Sequence, residues 1–129
     1  MTQHLRKILH VLLTCLLAYT AYLQFNDPDP LFWVLLYALA ALVPLAAVID
    51  TNAKTANVLH GLAAGFCLAG LAISLPGLVE YLHYHLGSES LVEDMSPEKP
   101  YIEEGREFIG TAFAFIVSLS YWVVRKPLA

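Results

Sequence analysis

Gln24-Phe25-Asn26-Asp27-Pro28-Asp29-Pro30 stands between two apolar runs, residues 8–25 and 31–49, and its reading decides the fold. Each proline holds its own φ near −65° and drives the aspartate before it toward extended backbone, so the stretch is a tight, doubly acidic turn. Asp29 is placed to cap the next helix, with Pro30 at its first position. At about 1.5 Å per residue, either flanking run is long enough to cross a hydrocarbon core about 30 Å thick. The turn therefore separates two membrane spans.

The rest of the chain repeats this alternation. Asp50-Thr51-Asn52-Ala53-Lys54-Thr55 breaks the second run, and residues 57–79 form a third, with Pro76-Gly77 expected to bend or fray its end. A polar segment, 80–107, precedes a fourth apolar run, 108–124, closed by Arg125-Lys126-Pro127. With 58% hydrophobic and only 14% charged residues, the chain is too apolar for a water-exposed surface all round. The expected architecture is an all-α integral membrane four-helix bundle in one domain, 1–129.

Charge sets the expected orientation. Arg6, Lys7, Lys54, Arg125 and Lys126 fall on one side of a four-span topology, leaving Lys99 and Arg106 on the other. By the positive-inside bias both termini are cytoplasmic, and the acidic turn and residues 80–107 face outward. Arg6 and Lys7 ahead of an apolar run resemble a signal peptide. Tyr19 and Tyr22 spoil the small-residue cleavage pattern around Ala18–Ala21, and Thr14 before Cys15 does not fit a lipoprotein site, so the run reads as a retained first span. In a bacterium the host would be the plasma (inner) membrane. Cys15 and Cys67 both lie in apolar runs, which excludes a disulfide framework or a zinc ribbon.

Polar chemistry gathers on the outward side. Trp33 and Tyr37 are one helical turn apart and share a face with Asp29, which suits an aromatic interface belt or core packing, with one wall of a pocket floored by the acidic turn as the functional alternative. Glu103-Glu104-Gly105-Arg106-Glu107 opens the fourth span. Glu103 and Glu107 share a face, and an arginine at a bilayer boundary calls for a partner, with Asp27, Asp29 or Glu103 as candidates. Glu80-x-x-His83, followed by His85, has the spacing of carboxylate-bridged metal sites. The ligand-binding set is thus Gln24, Asn26, Asp27, Asp29, Trp33, Tyr37, Glu104, Arg106 and Glu107. The set for a divalent metal ion is Asp27, Asp29, Glu80, His83 and Glu107. No nucleophile elbow, phosphate loop or dinucleotide fingerprint is present, so no catalytic residue is assigned, and no basic patch suits nucleic acid.

Small residues recur every fourth position: Gly61, Gly65 and Ala69 in the third span, Gly110, Ala114 and Ser118 in the fourth. Such stripes let helix backbones approach closely in lipid, and they predict contact between these two helices, within one chain or between chains. Beyond lipid, the expected partners are a second copy of the chain or another membrane protein.

The motif Gln24-x-Asn26-Asp27-Pro28-Asp29-Pro30 with Trp33 and Tyr37, together with Glu104-Gly105-Arg106-Glu107 before the last span, resembles the transmembrane protein 220 family of small polytopic membrane proteins. The likeness runs over nearly the whole chain through the order of its spans, apart from residues 86–100. It implies a four-helix fold and a role for both motifs, without naming an activity. Three functions fit these residues: an outward site for a cation or small polar ligand, a metal-dependent membrane hydrolase or lipid-modifying enzyme, and an accessory or assembly subunit.

Overall fold

A computed structural model describes residues 2–27, 29–49, 51–91 and 99–125, with side chains in the last helix through Val123. Pro28, Asp50, residues 92–98 and the Lys126-Pro127 pair lie outside these ranges. Four helices follow one another: α1 (Gln3–Leu23), α2 (Pro30–Val48), α3 (Ala53–Glu80) and α4 (Pro100–Arg125). A short 3₁₀ turn, Gln24–Asn26, ends α1, and a π turn, Tyr81–His85, prolongs α3. The described residues contain no strand.

Local chemistry starts the helices. Thr2 Oγ1 accepts from Leu5 N–H at 3.2 Å, and Asn52 Oδ1 accepts from Thr55 N–H at 2.8 Å, each satisfying one of the donors a helix N-terminus leaves open. Pro30 takes the first position of α2, where its missing N–H costs nothing. Pro76 does not end α3, which continues through Glu80 and into the π turn. The expected bend or fray at Pro76-Gly77 is therefore no terminus, because a proline's lost hydrogen bond is tolerated where neighbouring helices hold the segment.

Three helical segments, Gln3–Asn26, Pro30–Val48 and Ala53–His85, are long and apolar enough to cross a membrane. Large apolar side chains such as Leu12, Tyr22 and Ile116 are at least 60% exposed. Lipid is the natural solvent for such a surface, and the protein is an integral membrane protein. α4 matches the others in length but carries Glu103, Glu104, Arg106 and Glu107 ahead of its apolar stretch.

α3 packs most extensively on α4 and α1 on α2, while α2 also touches α3 and α4. The core contains Leu17 and Ala21 of α1, Trp33, Leu36, Tyr37 and Ala40 of α2, Cys67 of α3, and Ala114 and Val117 of α4. At the opposite end from the core's Tyr121, Tyr81, Tyr101 and Ile102 form a second small cluster with Leu91. Tyr121 itself bonds His10 of α1, with Oη to Nδ1 at 2.5 Å.

The contact between α3 and α4 is present, but half of its expected stripe is reassigned. Ala114 and Ser118 of α4 are buried, and Gly110 lies under the Tyr37 hydroxyl of α2. On α3, however, Gly61, Gly65 and Ala69 are exposed, and a Cβ on either glycine would meet nothing within 4 Å. The inward face of α3 is Ala56, His60, Ala63, Cys67, Gly70, Ser74 and Gly77. α3 thus has two faces of small residues. The buried one also carries His60 and Ser74, polar side chains that are costly in lipid, and this distinguishes it from the all-apolar stripe.

Closeness is tightest at two glycines. At Gly70 a Cβ would lie 2.8 Å from Leu36 Cδ1 and 3.2 Å from Trp33 Cζ3, and at Gly77 it would collide with the Glu104 side chain. Overpacking such a contact costs about 1–3 kcal/mol. Gly77→Ala is therefore expected to destabilise the protein by that amount in denaturant or thermal unfolding from detergent, whereas Gly65→Ala should leave stability unchanged or slightly raised. A comparable loss from Gly65→Ala would return the outward stripe to the α3–α4 contact.

Candidate functional site

The acidic turn is organised by Asp27. Its N–H donates to the Gln24 carbonyl at 2.9 Å, closing the 3₁₀ turn, and its Oδ1 accepts the N–H of Asp29 at 2.8 Å. This second bond is an aspartate turn, in which a side chain replaces a backbone carbonyl. Asp29 occupies the cap position of α2, but its own side chain makes no capping bond. The expected side-chain cap on α2 is absent, and Asp27 instead holds the backbone N–H of Asp29 itself, just ahead of the helix. Doing so leaves Asp27 only 9% exposed.

Opposite this turn stand the first two turns of α4. Glu103 and Glu107, four residues apart, lie on one helical face, and both are half-buried. One oxygen from each of Asp27, Glu103 and Glu107 can be chosen so that all three lie within 4.8 Å of one another. At that separation two full charges repel by about 3 kcal/mol even at an effective dielectric constant of about 20. Three adjacent carboxylates therefore require protons or a cation between them.

Protonation follows the same geometry. Burial pushes the Glu107 carboxyl up to about 9, reinforced by its hydrogen bond to Asp27 and by the charges of Asp27, Glu103 and Glu104. Burial, then the charge of Asp27 and a hydrogen bond to it, raise Glu103 to about 7, with Arg106 pulling the other way. At neutral pH Glu107 thus holds its proton.

The other sequence candidates sit around this centre at different distances. Glu104 leans on Gly77 of α3, and Arg106 is exposed at the rim, acting on Glu103. Tyr37 is buried one layer below, its hydroxyl against Gly110. Trp33 packs into the core, its ring 5.0 Å from Phe32 and its edge facing Gly70. Gln24 turns back on α1, donating Nε2–H to the Thr20 carbonyl at 3.1 Å, and Asn26 and Asp29 are exposed. Glu80, the last residue of α3, and His83, in the π turn that follows, are exposed and do not join the three carboxylates. Of the metal set, the structure brings together Asp27 and Glu107, and it adds Glu103. The sequence showed Glu103 on the face of Glu107, but there it stood as a partner for Arg106.

Both elements of this cluster lie within residues 16–123, the stretch matched by the model of the helical transmembrane family 220. The chain belongs to transmembrane family 220. No curated protein and no solved structure matches it. Family 220 membership agrees with the resemblance carried by the acidic turn and the Glu-Gly-Arg-Glu motif.

A carboxyl whose affinity for protons is raised on folding favours the folded state at low pH. That contribution is complete below about pH 4.5, the ordinary carboxyl range, and is lost as pH climbs through about 7 for Glu103 and about 9 for Glu107. The melting temperature of metal-free protein in detergent is expected to fall between pH 6 and 9, and Glu107→Gln should flatten the upper part of that fall. A melting temperature that rises over this range would contradict the arrangement.

Proposed function

We propose that this family 220 protein is a four-span membrane protein whose outward mouth binds a hard divalent cation through Asp27, Glu103 and Glu107. The observation that carries the reading is the convergence of three carboxylates from elements some 76 residues apart in the chain, Asp27 and Glu103. Calcium, magnesium and manganese all take oxygen ligands, and three carboxylates with water completing the shell suit that preference. Asp29 and Glu104 add negative field around the mouth, and Arg106 balances it at the rim.

The fourth pass is α4, with its carboxylates above the apolar stretch 108–124. Arg6, Lys7, Lys54, Arg125 and Lys126 then lie in the cytoplasm with both termini, and the cluster faces outward, in the plasma (inner) membrane of a bacterial host. A membrane hydrolase or lipid-modifying enzyme would use the same three carboxylates to hold its metal, but it has less support because Glu80 and His83 stand apart. An accessory or oligomeric role draws support from the outward stripe of Gly61, Gly65 and Ala69, a face open to another helix.

A cation that binds only the folded state stabilises it by about 2.7 kcal/mol at a hundred times its dissociation constant. Added Ca²⁺ or Mn²⁺ should therefore raise the melting temperature of purified protein, prepared without a metal-affinity step. Asp27→Asn and Glu107→Gln should each abolish the rise. Equal stabilisation of the parent and both variants would remove the site.

The orientation has its own test. A cysteine introduced at Asn26, with Cys15 and Cys67 replaced by alanine, should react with a membrane-impermeant maleimide from outside intact cells. Labelling only after the membrane is opened would invert the topology.

A further inference from the structure

The chain between α3 and α4 is tied around one carboxylate. Glu89 Oε1 pairs with Lys99 Nζ at 2.6 Å, and its Oε2 meets His85 Nδ1 at 2.5 Å and the Tyr101 hydroxyl at 2.6 Å. Its backbone carbonyl accepts the Tyr81 hydroxyl at 2.7 Å. The rings of His85 and Tyr101 stack with centroids 3.6 Å apart, 5° from parallel. Gly87 makes the reversal possible at φ +90°, a conformation that other residues rarely adopt. The knot therefore joins the end of the π turn, the segment 86–91 and the first turn of α4.

Its position relative to the three carboxylates is the informative feature. At about 100° per residue, Tyr101 and Gly105 lie roughly half a turn round α4 from the face of Glu103 and Glu107. Leu91 Cδ2 covers Gly105, 3.0 Å from where a Cβ would stand. The segment 86–91 thus braces α4 from behind while the carboxylates face Asp27. A helix's first turn lacks internal acceptors for its N–H groups and is prone to fraying. A single exposed ion pair adds little, but here three side-chain partners, a backbone bond and a ring stack converge on one short segment.

We infer that the segment 86–91, fastened through Glu89, is a latch that holds residues 100–107 in the position where Glu103 and Glu107 can meet Asp27. This rests on the cation-binding reading, for which Glu89 is a positioning residue that touches no ion. An outer-loop contact is thereby coupled to occupancy of the carboxylate cluster: untying Glu89 loosens the site, and a bound cation tightens the latch.

The test uses the full chain in detergent, with hydrogen–deuterium exchange read over residues 100–107 and Mn²⁺ affinity read by electron paramagnetic resonance. Glu89→Ala is expected to speed exchange in 100–107, leave α1 and α2 protected, and weaken Mn²⁺ by about tenfold, within the usual span for coupled sites. Tyr101→Phe keeps the ring and loses one bond, so it should move both readouts less in the same direction, and it serves if Glu89→Ala does not fold. Unchanged exchange over 100–107 would overturn the latch. Faster exchange with unchanged Mn²⁺ affinity would overturn its coupling to the site. Absence of Mn²⁺ binding in the parent protein would instead overturn the cation reading and the coupling with it, while the exchange comparison still decides whether the segment braces α4.

Discussion

Like charges held close together away from bulk water dominate the acidic end of this protein. Asp27, Glu103 and Glu107 present oxygens within 4.8 Å of one another, in surroundings where screening by water is reduced. Their mutual repulsion has to be answered by a proton or a cation. Burial first, then the hydrogen bond to Asp27 and the neighbouring charges, raise Glu107 to about 9, so that this carboxyl holds a proton at neutral pH. The turn on one side and α4 on the other hold these groups in place despite that repulsion.

Packing in lipid supplies the holding. Without a hydrophobic driving force between helices, contact depends on close fit, and the inward face of α3 provides it with Gly70 and Gly77 where Leu36 and Glu104 press in. Glu104, a carboxylate beside the cluster, is thereby a packing residue of the α3–α4 contact as well. On the far side of α4, the Glu89 knot and Leu91 complete the brace. The first two turns of α4 are consequently set by three neighbours, the Asp27 turn, α3 and the segment after it.

Much of this was legible from residue type and spacing. Apolar runs of membrane-spanning length, separated by prolines, asparagine and charged residues, specify helices and turns because the backbone must satisfy its own hydrogen bonds in lipid. The Asn-Asp-Pro-Asp-Pro motif announced a rigid turn. Glu103 and Glu107 shared a helical face by spacing alone. The finer assignments were less accessible. Asp27 and Asp29 are both aspartates before proline, and only the observed hydrogen bond shows that Asp27 organises the turn while Asp29 stays exposed. Glu80-x-x-His83 had ligand spacing, yet it is exposed at the end of α3, and among the described residues no third ligand joins it.

By itself, then, the sequence determined a helical membrane protein with acidic chemistry at the turn and before the last apolar run, because apolar length and charge placement are local properties. Tertiary structure decided which small-residue face of α3 turns inward, which aspartate is nine-tenths buried, and that Glu103 completes a cluster with Asp27. Those outcomes depend on the rotation of each helix about its axis and on the approach of residues far apart in the chain. Helical periodicity says which residues share a face; only the packing of neighbouring helices says what that face meets.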